Sequence, residues 1–205
     1  MTGATIRAVL NTRLGKSELA DAAVFLSVLN LALQAIATRA HWPDLHKTDS
    51  TTLDFTALLK YHALPADFQA LDRIFVADDR TIEEMHPDAL RALQDQDSPA
   101  TGEPDYYSII GGNVYVYPLP DAAVTLSLDH WHVPAAVTAE AGALVFGDEF
   151  QEAMICGTIV AYLKATGFNE HPKLAENVAM FDREIALLMP RADTKVTIAK
   201  PYRYA

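Results

Sequence analysis

The chain has 205 residues, 50% of them hydrophobic and 21% charged, the composition of one substantial folded domain, or of one domain carrying an insertion, and not of a disordered chain. Its single cysteine, Cys156, excludes an internal disulfide framework and a cysteine-based zinc site, and is compatible with a reduced intracellular setting. The net charge is −11, with +3 at residues 1–16, +3 at residues 191–205 and −17 between them; so acidic a body argues against a grip on nucleic acid, which needs clustered Lys and Arg.

Residues 1–16 lack a continuous apolar core of signal-peptide length, so no such signal is expected. Arg7, Arg13 and Lys16 make this end basic, and it either docks on an acidic partner or is a solvated tail. The first expected element is a helix from about Ser17 to Ala40. Ser17 is its N-cap, and Glu18 and Asp21 lie in the first turn, where the helix dipole favours acids. Leu19, Ala22, Leu26, Leu29, Leu33, Ile36 and Ala40 form a seam at spacings of three and four, with Val24, Val28, Leu31 and Ala35 beside it. Its polar face, Ser27, Asn30, Gln34 and Thr38, bears no charge. Such a helix is buried on most sides, as a core helix of its subunit or also against a neighbouring copy. It is too short and too polar to span a membrane.

Trp42-Pro43 ends that helix. Thr51–Phe55, Tyr61–Leu64 and Leu71–Ala77 then read as strands, with Leu64-Pro65-Ala66-Asp67-Phe68 as a turn. A short helix is expected over Thr81–Gln96, disturbed in its first half by Pro87. Asp95–Pro104 is a polar loop. Next, Gly111-Gly112 between two apolar and aromatic runs marks a two-residue hairpin turn. That turn pairs Ile110 with Asn113, Ile109 with Val114, Tyr107 with Val116 and Tyr106 with Tyr117. Alternation puts Tyr107, Ile109, Val114 and Val116 on a core face, and Tyr106, Ser108, Tyr115 and Tyr117 on the other. Leu119-Pro120-Asp121 turns into a long strand, Ala123–Val133, with Val124, Leu126 and Leu128 on one side.

Two more helices follow. Asp148–Thr166 begins with a capping-box pattern, Asp148 with Gln151, and ends at Gly167. Its Ala153, Gly157, Ala161 and Ala165 make a smooth face that permits close helix approach. Pro172–Met189 carries Leu174, Val178, Phe181, Ile185 and Leu188 at helical spacing, and Pro190 stops it. The expected fold class is α+β: a helical bundle of the N-terminal helix plus two C-terminal helices, residues 1–45 and 140–190, with a β-rich antiparallel insertion, residues 46–139. Residues 191–205 are an extended basic C-terminal tail in which Val196, Ile198, Tyr202 and Tyr204 alternate as in an added strand.

Chemistry-bearing motifs are few. No phosphate-binding glycine loop, nucleophile elbow or metalloprotease motif occurs. His130 and His132 share a strand face and are a half-buried structural pair or two metal ligands that lack a third. Cys156, between Ile155 and Gly157, reads as a buried inert thiol. Glu83-Glu84, Asp95 and Asp97 read as a solvated face rather than acid–base catalysts. No catalytic residue, metal or cofactor is expected.

The order of turns and alternations resembles the head-to-tail adaptor proteins of tailed bacteriophages, a group that includes tail tubular and head-completion proteins. The similar pieces are Leu29-Asn30 with Trp42, the Leu64-Pro65-Ala66-Asp67-Phe68 turn, and Gly102-x-Pro104 leading into Tyr106-Tyr107-x-Ile109 and Gly111-Gly112. Tyr115-Val116-Tyr117-Pro118, Pro120-Asp121, Leu126-x-Leu128 and Pro134 follow, then Phe146, Phe150 and Gln151 at the late helix. His130-Trp131-His132 departs from the tyrosines expected before the proline. The resemblance spans roughly residues 17–190.

It implies a non-enzymatic virion protein that forms a homo-oligomeric ring of about twelve copies under the portal, with DNA passing through the centre. The implied partners are the portal protein and a downstream tail or neck protein, with no membrane. Arg191, Lys195, Val196, Ile198, Lys200, Tyr202, Arg203 and Tyr204 are then the residues that dock on the portal or a neighbouring subunit. Tyr106, Tyr115 and Tyr117 become a subunit or tail-protein contact, since tyrosine is enriched at interfaces. The alternatives are a tail-completion or stopper protein lower in the neck, and a small intracellular metal-dependent enzyme using His130, His132 and nearby acids.

Overall fold

A computed structural model describes residues 1–14, 21–76, 80–168 and 171–192. Its elements are helices α1 (Gly3–Leu14), α2 (Ala22–Ala37), α3 (Pro87–Gln94), α4 (Gln151–Ala165) and α5 (Pro172–Leu188), with strands β1 (His46–Phe55), β2 (Tyr61–Ala63), β3 (Phe68–Phe75), β4 (Glu83–Glu84), β5 (Tyr106–Ile110), β6 (Asn113–Tyr117) and β7 (Val124–His132). The protein is therefore α+β. Two compact units divide it, one of residues 1–45 with 133–205 and one of residues 46–132.

In the first unit α4 is the central helix, against which α2, α5 and α1 pack. Nine of its residues are buried, Ala153 through Ile159 without a break, then Tyr162 and Leu163. The smooth face explains the closeness: a Cβ on Gly157 would sit 3.0 Å from a ring carbon of Phe181 on α5 and 3.2 Å from the Cβ of Ala32 on α2. Beyond α2, the indole of Trp42 is fully buried and donates to the carbonyl of Ile36 at 2.8 Å. Its ring meets Phe150 edge-on at 5.1 Å and Phe146 at 6.5 Å, and those two phenylalanines stack at 4.5 Å. Asn30, on the uncharged polar face of α2, clamps the segment that returns from the strands. It donates to the Val137 carbonyl at 3.1 Å and accepts from the Val137 amide at 2.8 Å.

Helix starts differ from expectation in instructive ways. Asp21, not Ser17, caps α2, accepting from the amides of Ala23 and Val24; Ser17 lies outside the described residues. Pro87 opens α3 instead of disturbing a longer helix, because a first-turn proline has no amide that needs a partner. His86 caps it, and the residues before it form the short strand β4. The capping box at Asp148 does not form: Asp148–Phe150 make a 3-10 turn, and α4 starts at Gln151 with no side-chain cap. Helix α1 was not anticipated at all.

The second unit holds two sheets. One is three-stranded and antiparallel in the order β1-β7-β3; the other is four-stranded in the order β2-β6-β5-β4, antiparallel except where β4 runs parallel to β5. The β5–β6 hairpin has the register expected, Tyr106 opposite Tyr117 through Ile110 opposite Asn113. Gly111 and Gly112 turn it at φ +57° and +80°, the left-handed pair that a two-residue hairpin turn requires. Tyr107, Val114 and Val116 share one core with Leu53 and Phe55 of β1, Ile74 of β3, Leu126 and Leu128 of β7, and Val76 and Ile82 just after β3. Strands β1 and β3 are longer than the sequence suggested, and each pairs with β7 through bulges.

Candidate functional site

The exposed side of the hairpin is half covered. Helix α3 lies on it, held by Gln94, whose buried amide donates to the Lys60 carbonyl at 3.0 Å and the Val116 carbonyl at 2.8 Å. Ser108 is buried there, whereas Tyr115 and Tyr117 are half-buried and Tyr106 remains 36% exposed. The hairpin register sets Tyr106 beside Tyr117, and β2 adds Tyr61, directly opposite Tyr115. The Tyr61 and Tyr115 rings lie 5.1 Å apart, and the Arg91 guanidinium of α3 sits 5.8 Å from the Tyr115 ring. Tyr61, 48% exposed, and Arg91 thus extend the three anticipated tyrosines into a patch of aromatic rings and one cation. Tyr61 was readable only as the first residue of a short strand, Tyr61–Leu64, and the helix carrying Arg91 had been placed too broadly, so neither could be assigned to this face from the sequence.

The anticipated docking residues of the tail fall otherwise. Arg191 closes the 3-10 turn that follows α5; Lys195, Val196, Ile198, Lys200, Tyr202, Arg203 and Tyr204 lie outside the described residues. At the other end, Arg7 and Arg13 are engaged within the unit, and Lys16 lies outside the described residues. Arg7 pairs with Glu140, and Arg13 pairs with Glu152 through both guanidinium nitrogens at 2.6 and 2.8 Å. Of the two open readings of that end, docking cation or solvated tail, neither describes these arginines: they bind helix α1 to its own unit.

The chemistry of His130, His132 and Cys156 follows from burial. No group of three or more His, Cys, Asp or Glu able to hold a metal occurs among the described residues. His130 is fully buried, stacked on Phe68 at 5.7 Å and 20°, and neither ring nitrogen makes a hydrogen bond of normal geometry. Desolvation pushes its pKa down; the Asp67 carboxylate opposes that and the Lys47 ammonium and His132 add to it. Lys47 and Asp67 pair with each other at 2.6 Å. Cys156 is fully buried, its thiol pushed up to about 11 by burial and by Glu152, so it is not a nucleophile at neutral pH.

A neutral buried histidine makes the fold acid-sensitive. The unfolded chain takes up a proton below about pH 6.5 that the folded chain refuses, so stability should fall with pH by up to about 1.4 kcal/mol per unit. The Asp67 carboxylate, held below its usual range by Lys47, loses its contribution only at lower pH. His130→Leu should flatten the slope below about pH 6.5, read by denaturant titration at each pH; an unchanged slope would show that His130 is not the group responsible.

No curated protein matches the chain. The family described as SU10 adaptor protein matches residues 1–201, which takes in both units and every described residue. The chain belongs to the SU10 adaptor protein family, a family of phage head–tail adaptors.

Proposed function

We propose that this protein is a non-enzymatic structural component of the phage virion, a ring at the neck that joins the portal to the tail and lets DNA pass. The observation that carries this reading is the family match over residues 1–201. An adaptor interacts with other head or tail proteins by its nature, and a single chain type that must surround a duplex does so as a closed ring, here of about twelve copies. The charge distribution agrees: a body of −17 over residues 17–190 would let DNA slide without gripping its phosphates. In this reading the helices of the first unit form a bundle that frames the subunit, the strands are an insertion in it, and the basic tail docks on the portal.

The test is electron microscopy of the purified protein alone and with emptied capsids. Rings seated at one capsid vertex are expected; a persistent monomer with no affinity for capsids overturns the proposal.

The tyrosine patch is assigned to the neighbouring subunit or the tail protein. Replacing both Tyr115 and Tyr117 with serine should weaken assembly at least about tenfold, since interface aromatics commonly carry over 1 kcal/mol each. The fold should survive, because the hairpin enters the core through its other face, with Tyr107, Val114 and Val116 buried and Ile109 partly buried. Ring formation by this variant at wild-type concentration would remove the patch from the interface.

A further inference from the structure

Helix α3 sets one cation on the tyrosine patch. Arg91 is exposed, and its guanidinium lies 5.8 Å from the ring of Tyr115, which also meets the Tyr61 ring at 5.1 Å. Two carboxylates stand within its reach, Asp88 three residues before it and Asp95 four after it, the spacings at which side chains meet on a helix. It pairs with neither. Asp95 pairs with Lys60 at 3.1 Å, and the Asp88 carboxylate lies 3.8 Å from the His86 ring. The five arginines before it in the chain, Arg7, Arg13, Arg39, Arg73 and Arg80, each pair with an aspartate or a glutamate. Among the described residues Arg91 has an aromatic ring in place of a carboxylate. It therefore presents its planar N–H donors to solvent beside the exposed rings of Tyr61 and Tyr106, and tyrosine with arginine is the composition of an interface hot spot.

We propose that the tyrosine patch receives a carboxylate side chain from a second copy of this chain, which accepts from the Arg91 guanidinium while the apolar atoms around it cover Tyr61 and Tyr115. The assignment rests on the ring reading above, and names the partner of the patch and the group that anchors it. A closed ring made of one chain sets this patch against a different surface of the next copy. With 27 acidic residues to 16 basic ones, that copy has carboxylates in surplus, and the patch holds the cation to receive one. Docking excludes water from the patch, so the guanidinium is held more strongly both to the Tyr115 ring and to the incoming carboxylate. The pair also offsets the mutual repulsion of subunits that each carry a net charge of −11.

The test is a charge series at position 91 in the full chain. Assembly is followed by sedimentation velocity at rising concentration, for the chain alone and on emptied capsids. Arg91→Lys keeps the charge and loses the planar fork, so it should assemble more weakly than wild type. Arg91→Gln should raise the concentration for half-assembly about tenfold. Arg91→Glu should raise it about tenfold further, because it sets carboxylate against carboxylate. All three should keep the circular dichroism spectrum of the wild type, since the side chain is exposed. Arg183→Glu, exposed on α5, makes the same change in net charge and should assemble as the wild type does. Equal assembly by Arg91→Gln and Arg91→Glu overturns the proposal, as does an equal loss in Arg183→Glu, which makes net charge the cause. Rings that form normally from Arg91→Glu but no longer bind isolated tails give the patch to the tail protein, and overturn it as well. A wild type that stays monomeric in both settings removes the ring reading and this contact with it, an outcome distinct from failure at position 91 alone.

Discussion

Replacing Trp42 with alanine should destabilise the protein by about 3–5 kcal/mol, the usual cost of removing a large aromatic from a core. That is a large part of the stability of an ordinary domain. The indole is fully buried, holds the Ile36 carbonyl at the end of α2, and meets Phe150 and Phe146 edge-on. It therefore joins the end of α2 to the segment just before α4, through Phe146 and through Phe150 in the 3-10 turn that leads into that helix. The cavity cannot close by the shift of a single helix, since Phe146 and Phe150 already stack on each other. Trp42→Phe keeps most of the apolar volume and loses the N–H donor, so it should cost far less, about 1–2 kcal/mol. Denaturant unfolding of the two variants measures the difference. A Trp42→Ala midpoint close to wild type would mean that the aromatic group does not hold this unit together.

Removing residues 193–205 while keeping Ala192 should abolish attachment to the portal and leave the subunit folded. The truncation removes Lys195, Lys200, Arg203, Val196, Ile198, Tyr202 and Tyr204, and with them all but Arg191 of the basic charge at that end. Ala192 is retained because it is buried on the first unit; cutting before it would mix loss of docking with loss of packing. Portal co-sedimentation at rising salt reads the effect: binding by the intact chain should weaken with salt in proportion to its charge pairs, and the truncated chain should not bind at any salt. Unimpaired sedimentation of the truncated chain would transfer portal docking to another surface.

What the sequence made legible were the elements whose signal is local. The Gly111-Gly112 turn fixes both φ values and register within a dozen residues, so the pairing from Tyr106 to Tyr117 was readable residue by residue. The apolar spacing of α2, α4 and α5 likewise lies within each helix. Helix α1 was invisible because its buried side is only Gly3, Ile6 and Leu10, too sparse for a seam. What fixes it in place, Arg7 to Glu140 and Arg13 to Glu152, joins residues more than a hundred positions apart. Strand β4 failed for a similar reason: two acidic residues become a strand only because Tyr106 and Tyr107 lie beside them. The tyrosine face was half legible. Alternation put Tyr106, Tyr115 and Tyr117 together, but nothing local said that α3 would cover part of that face or that Tyr61 and Arg91 would enlarge it.

The order of strands in the first sheet bears on how the chain is made. β7 is the middle strand, yet it is the last of the three to be synthesised, and β1 and β3 pair with it and not with each other. Until residues 124–132 have left the ribosome, neither earlier strand has its ladder partner. The helical unit waits longer still, since α2 meets its principal neighbour, α4, only after residue 151. At translation rates of about 5–20 residues per second, the nascent chain spends several seconds with apolar strands and an apolar helix unpaired. A ribosome that stalls before β7 therefore releases a product with neither core formed.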